Sequence, residues 1–415
     1  MYYSKALSAV QKLLLISITD LYGIGNWFSE SIKTLVNEHP CSRKSLTEFL
    51  KKMESRGFLV IQKSYGTIAP NSYFFTNEAA RYIQSDEVLG EISKGRFIKV
   101  IRGAYVPASK TSTVESISNL NRFFLLILML HSDALGSVSN LSFKELAKIM
   151  GGTKDQVKSQ IICLKKAGLI RNHASGISHK DIFGKEKGIL LLDVKHPFIS
   201  GFYYNISKLI LDVSQIHDLE YLGFPQSFSL IMRMPSIHLN QKYNDYIDMN
   251  LIYEVMTKKD IRLHEQIQYL IYDVASKLLR SPSKLSSQQV EELILNKLSP
   301  NSEVLAQKAH LELAKLIRRW VFRQARIYEA LLLFIYGENV SYEKVLILPS
   351  RFIEGRISSF EILFENVKTS LINKCNDDIY KVNADFTIID KHGQLTALDF
   401  SLLFTRIKQI SHDLK

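Results

Sequence analysis

The chain of 415 residues is poor in the residues that usually announce a chemistry. Its three cysteines, Cys41, Cys163 and Cys375, are far apart and form no CxxC pair. Neither a zinc site nor a disulfide framework is expected, and a reducing, cytoplasmic setting fits. The longest uninterrupted apolar run, FFLLILML at residues 123–130, is far below the roughly 20 residues that span a bilayer. The opening segment MYYSKALSAVQKLLLISITD has no small-residue cleavage pattern, so no secretory signal is read there. A soluble protein with no membrane partner is expected.

Enzyme signatures are equally scarce. There is no GxxxxGK[ST], no HExxH and no G-x-S-x-G, and the 11 histidines are scattered without metal-ligand spacing. Asp385 and Asp399 come nearest to a catalytic pair, since two carboxylates on a hairpin can hold the divalent metal of a nuclease. The lysine such a site needs two residues after the second acid is replaced by Ser401. No catalytic activity, cofactor or metal is therefore expected.

What the chain does have is apolar material, positive charge and a repeated pattern. With 46% hydrophobic and 10% aromatic residues it can bury real cores, and its length suggests two to four domains. The net charge is +12 and is unevenly placed. Residues 1–85 carry 10 Lys+Arg against 6 Asp+Glu, and residues 119–197 carry 12 against 6. Residues 86–118 and 198–415 are almost balanced, so a polyanion is the natural partner for the two basic segments.

Those same segments share a pattern. Residues 42–60 read SRKSLTEFLKKMESRGFLV and residues 153–171 read TKDQVKSQIICLKKAGLIR. Counted back from Gly57 or Gly168, apolar residues stand 4, 7 and 11 positions earlier: Met53, Leu50 and Leu46, then Leu164, Ile161 and Val157. This spacing predicts one buried helical stripe. Ser42 and Thr153 suit the N-cap, and each glycine permits the left-handed turn that stops a helix before a strand. Ser142 and Glu145 form an S-x-x-E capping box that opens SFKELAKIM.

The surroundings match as well. The first segment orders an apolar helix (6–23), a second helix within SESIKTLVNEHP, the third at SRKSLTEFLKKMESRG, then FLVIQKS, YFFT and a closing helix around NEAARYIQ. The second orders NRFFLLILMLHSDALG, SFKELAKIMGG, TKDQVKSQIICLKKAG, LIRNHAS, a Gly- and Lys-rich stretch and ILLLD. Three helices followed by a two-stranded hairpin resembles a winged helix-turn-helix. The first copy, with Leu50, Met53, Gly57, Leu59, Val60 and YFFTNEAARYI, is similar to MarR-like and PadR-like transcriptional regulators. It departs at the turn before the third helix, where His39, Pro40 and Cys41 stand instead of Gly151 and Gly152.

The expected architecture is mainly α with small β-hairpins. A first winged domain spans 1–85, a connector 86–118, a second winged domain 119–197 and a mainly helical region 198–415. That last region would oligomerise the chain or regulate it. Within it FISGFYYNISKLILDVS reads as a helix and ADFTIIDKHGQLTALDF as a hairpin.

In such a domain the N-terminal half of the third helix enters the major groove. The candidates are Arg43, Lys44, Ser45, Thr47 and Lys51 in the first copy, and Lys154, Gln156, Lys158 and Ser159 in the second. Arg43 suits guanine and Gln156 an adenine edge, while lysines suit phosphate. The hairpin tips add Lys63 and Tyr65, then Lys180, Lys185 and Lys187. A downstream stripe, Lys315, Arg319, Arg323 and Arg326, is read as a solvated face paired with acids. The resemblance implies a sequence-specific double-stranded DNA-binding regulator. Replication initiation or maintenance of a plasmid or mobile element is the alternative. A further one is a non-catalytic assembly protein whose winged helices meet other proteins.

Overall fold

The computed structural model describes residues 7–39, 41–64, 70–86, 117–179, 182–203, 206–212, 261–280, 285–298, 304–336, 344–353, 356–365, 379–382, 387–389 and 395–397, with positions 89, 100, 247–248 and 251–252. They are mainly helical, with small sheets, mostly antiparallel. The chain divides into two compact units. Unit 1 is Met1–Asn172 with Leu190–Tyr203, and unit 2 is His173–Ile189 with Tyr204–Lys415. Most of the expected connector lies outside the described residues.

Unit 1 holds two sets of elements in one order. The first is α1 (Ala9–Tyr22), β1 (Trp27–Ser29), α2 (Ile32–Glu38), α3 (Arg43–Ser55), β2 (Leu59–Gln62), β3 (Ser72–Phe75) and α4 (Asn77–Ser85). The second opens with α5 (Asn119–Leu130), β4 (Ser137–Val138), α6 (Phe143–Met150), α7 (Lys154–Lys166) and β5 (Ile170–Ala174). After β5 the chain passes through β6 (Ile177–His179) and β7 (Gly184–Glu186), which belong to unit 2, and the set closes with β8 (Ile189–Leu192). Each set closes a three-stranded sheet, β1-β3-β2 and β4-β8-β5. The strands β1 and β4 extend the expected hairpins by one strand each.

Local rules explain the boundaries. Ser42 Oγ accepts the Ser45 N–H at the start of α3, and Thr153 Oγ1 accepts the Gln156 N–H at the start of α7. The Ser142–Glu145 capping box forms at α6. At the far ends Gly57 and Gly168 take φ of +71° and +75°. Phe58 N–H then bonds Met53 O at 3.0 Å and Leu169 N–H bonds Leu164 O at 2.9 Å. This is the Schellman closure that a left-handed glycine allows. The predicted stripes, Leu46, Leu50 and Met53 with Val157, Ile161 and Leu164, are all buried.

The turn before α3 is built differently from the one before α7. Gly151, with φ +65°, ends α6. In place of a glycine the first set uses buried His39, whose Nδ1 meets Ser17 Oγ of α1 at 2.6 Å. In both sets the third helix packs on the two before it. The apolar runs of α1 and α5 are buried almost all round because the two helices pack on each other. Unit 1 is thus one body with a shared seam between its two sets.

Unit 2 departs from the expected helical region. It has three long helical segments, α8 (Ile261–Arg280), α9 (Ser287–Leu295) and α10 (Val304–Tyr336). It also has a six-stranded sheet from β9 (Ile206–Asp212), β10 (Val345–Ile353), β11 (Arg356–Glu365), β12 (Ile379–Val382), β13 (Thr387–Ile389) and β14 (Leu395–Ala397). The order is β10-β11-β9-β12-β13-β14, antiparallel except for β9 beside β12. The segment read as a helix at 198–214 contains β9, an interior strand whose Leu209–Ile210–Leu211 run lies between two neighbours. A continuous apolar run does not distinguish a buried helix from an interior strand. The β13–β14 hairpin forms where expected, with Thr387 opposite Ala397. On α10, Lys315 of the basic stripe pairs with Glu312 at 2.6 Å, and Arg318, beside the stripe, pairs with Glu291.

Candidate nucleic-acid interface

The two third helices present equivalent faces. Burial of Leu46, Phe49, Leu50 and Met53 turns Arg43, Lys44, Glu48 and Lys51 to solvent on α3. Burial of Val157, Gln160, Ile161 and Leu164 does the same for Lys154, Asp155, Lys158, Ser159 and Ile162 on α7. By helical phase Lys44, Glu48 and Lys51 point straight out of the first domain, and Asp155, Ser159 and Ile162 out of the second.

Arg43 and Lys44 occupy the first turn of α3, which contains no acidic residue. A helix N-terminus carries a partial positive charge, so each cation there costs roughly 0.3–1 kcal/mol. No side-chain hydrogen bond or ion pair to another described residue offsets this for Arg43 or Lys44, and none engages the Lys51 side chain further along the helix. The first turn of α7 instead holds Asp155, which suits the dipole and pairs with Lys158 at 3.1 Å. The positive face of α3 is therefore open, and that of α7 is partly neutralised.

Several candidates have local roles. The Ser45 hydroxyl lies 2.8 Å from that of Ser42, and Thr47 Oγ1 donates to Arg43 O at 2.8 Å, so both half-buried hydroxyls are engaged within α3. Gln156 Oε1 accepts the Thr153 N–H at 2.9 Å, completing a reciprocal capping box. Its acceptor, which adenine pairing requires alongside the amide N–H, is committed to the helix start. The signal was present as T-x-x-Q, the same pattern as the S-x-x-E of α6. Lys154 and Ser159 are exposed on α7, and Lys63 is exposed just after β2. Tyr65 lies outside the described residues.

The second hairpin tip is not a free loop. β6 and β7 pair antiparallel, and Ile177, Ile182 and Phe183 are buried in the core of unit 2 with Ile267, Ile271 and Leu313. Gln266 Nε2 on α8 donates to Ser175 O at 2.8 Å. Lys185 and Lys187 stay exposed on this anchored hairpin, and Lys180 lies outside the described residues. Reading the stretch by its glycines and lysines missed Ile177, Ile182 and Phe183, which alternate with them and face the core.

His196 closes the end of α7. Its Nδ1 accepts the Phe198 N–H at 3.2 Å, and its ring lies against Gly168. Burial pushes its pKa below the usual 6.5, against the opposing pull of Asp193 and of a hydrogen bond with the Ala167 backbone.

Among the described residues no group of three or more His, Cys, Asp or Glu is placed to hold a metal ion, and no helix is long and apolar enough to cross a membrane. Asp385 and Asp399 lie outside the described residues. Comparison with protein families, curated proteins and solved structures yields no match.

Proposed function

We propose that each element set of unit 1 is a winged helix-turn-helix, and that the protein binds double-stranded DNA site-specifically as a transcriptional regulator, with α3 as its principal reading helix. The observation that carries this reading is the first turn of α3. Arg43 and Lys44 stand exposed at the positive end of a helix, where they cost stability and gain no partner among the described residues. Such a local conflict is expected where a group is held for an external anion. Lys51 continues the same face one to two turns on, and Lys63 adds a cation after β2.

Duplex binding measured by anisotropy against salt tests this directly. Lys44→Gln and Lys51→Gln are expected each to weaken binding uniformly across sequences and to lower the salt slope by about 1. Arg43→Ala is expected to relax preference at one base position, with a loss of roughly 1–3 kcal/mol. Unchanged affinity and slope in all three variants would defeat the proposal.

For α7 a second reading has its own observation. Ile162 is 54% exposed at the centre of the outward face, beside Asp155 and Ser159. An apolar centre flanked by an acid suits a protein surface better than phosphates. A footprint that Lys154→Ala and Lys158→Ala leave intact would assign α7 to assembly, while a shortened footprint would return it to DNA.

A further inference from the structure

The sheet of the first set has an outer face that none of the described helices covers. Its inner residues, Phe28, Leu59, Tyr73 and Phe75, are buried. On the opposite face Trp27, Phe74 and Val60 stand in register across β1, β3 and β2. Trp27 is 54% exposed, Val60 is 46% exposed, and the Trp27 and Phe74 rings lie 5.2 Å apart at 38°. The next row on this face is Ser29, Ser72 and Gln62, also in register, with the two serine hydroxyls 2.7 Å apart. None of these six residues is acidic, and exposed Lys63 follows Gln62. The corresponding sheet of the second set differs, because Leu190, Leu191 and Leu192 of β8 are all buried and both its faces are covered.

An exposed tryptophan beside a half-buried phenylalanine offers a flat apolar surface to a partner. Three side chains across three strands span only about 10 Å, a patch too small to supply the roughly 800 Å² per partner of a stable protein interface. That span matches one or two nucleobases. An apolar row for stacking, a hydroxyl and amide row for base edges and a flanking cation for phosphate together match the parts of a nucleotide. We infer that this outer face binds unpaired bases of single-stranded nucleic acid, with Trp27 and Phe74 as the stacking platform. The inference does not depend on duplex recognition by α3. It fits a protein that meets locally opened DNA, as the initiation alternative would require.

The chain's two tryptophans make the test simple. Trp320 is only 4% exposed, so quenching by an added oligonucleotide reports on Trp27. Full-length protein is titrated with oligothymidylate of roughly 10 nucleotides. Saturable quenching is expected, with a midpoint roughly ten-fold weaker in Phe74→Ala. In a parallel titration of labelled oligothymidylate, Trp27→Phe should bind like the parent and Trp27→Ala roughly ten-fold more weakly, while duplex binding by Trp27→Ala stays unchanged. Emission that the oligonucleotide leaves unaltered, or equal binding by Trp27→Ala, overturns the inference. A change in Trp27 emission on dilution alone also overturns it and assigns the face to a second copy of the chain.

Discussion

Single residues in unit 1 separate stability from binding. Arg43 and Lys44 oppose the dipole of α3, so Lys44→Glu is expected to raise the melting temperature slightly while weakening duplex binding more than Lys44→Gln does. A thermal melt paired with an anisotropy titration checks both signs. Gln156 shows the opposite balance. Gln156→Ala removes one arm of the α7 capping box and should cost about 0.5–1 kcal/mol, whereas Gln156→Glu keeps the reciprocal bond and the stability. Denaturant midpoints of the two variants distinguish them. His196 adds a pH dependence. Its folded pKa lies below the 6.5 of the free group, so the unfolded chain binds more protons. Stability is therefore complete above about 6.5 and falls as pH drops through that value toward the folded pKa. The melting temperature between pH 7 and pH 5 should fall less in His196→Gln than in the parent protein.

Secondary-structure elements were legible where their causes are local. The stripes of α3 and α7, their hydroxyl caps and their glycine stops depend on residues within a few positions, and all form as expected. The short strands β1 and β4 have no such signal. Trp27–Ser29 becomes a strand by pairing with Ser72–Phe74, more than 40 residues away. The β6–β7 hairpin misled for the same reason, since its burial depends on α8, and the bond from Gln266 to Ser175, just before β6, spans 91 residues. The core role of this hairpin predicts that Phe183→Ala destabilises unit 2 by roughly 3–5 kcal/mol, as removal of a buried phenylalanine does. Limited proteolysis or a denaturant melt reads that loss. A solvated tip would give almost none.

At the scale of the molecule, the candidate site was half legible. The basic, exposed face of α3 follows from position and charge alone. The weaker claim of α7 does not, because it turns on which residue points straight outward, and that residue is Ile162. The six-stranded sheet of unit 2 was missed because β10, at Val345–Ile353, and β11, at Arg356–Glu365, take their meaning from β9, which lies before the helices. Within unit 1 the α1–α5 seam holds the two element sets as one body. If both third helices read DNA, as proposed, their different residues in a fixed relation predict a site without the symmetry of a simple homodimer's palindrome.

The most direct test of DNA recognition is to map where the purified full-length protein binds on sheared DNA of its own genome at about 0.15 M salt, where binding by charge alone is weakened. A few discrete, asymmetric sites are predicted, lost when Arg43 and Lys44 are both changed to alanine. Uniform weak binding, or discrete sites that survive this double change, would contradict the account.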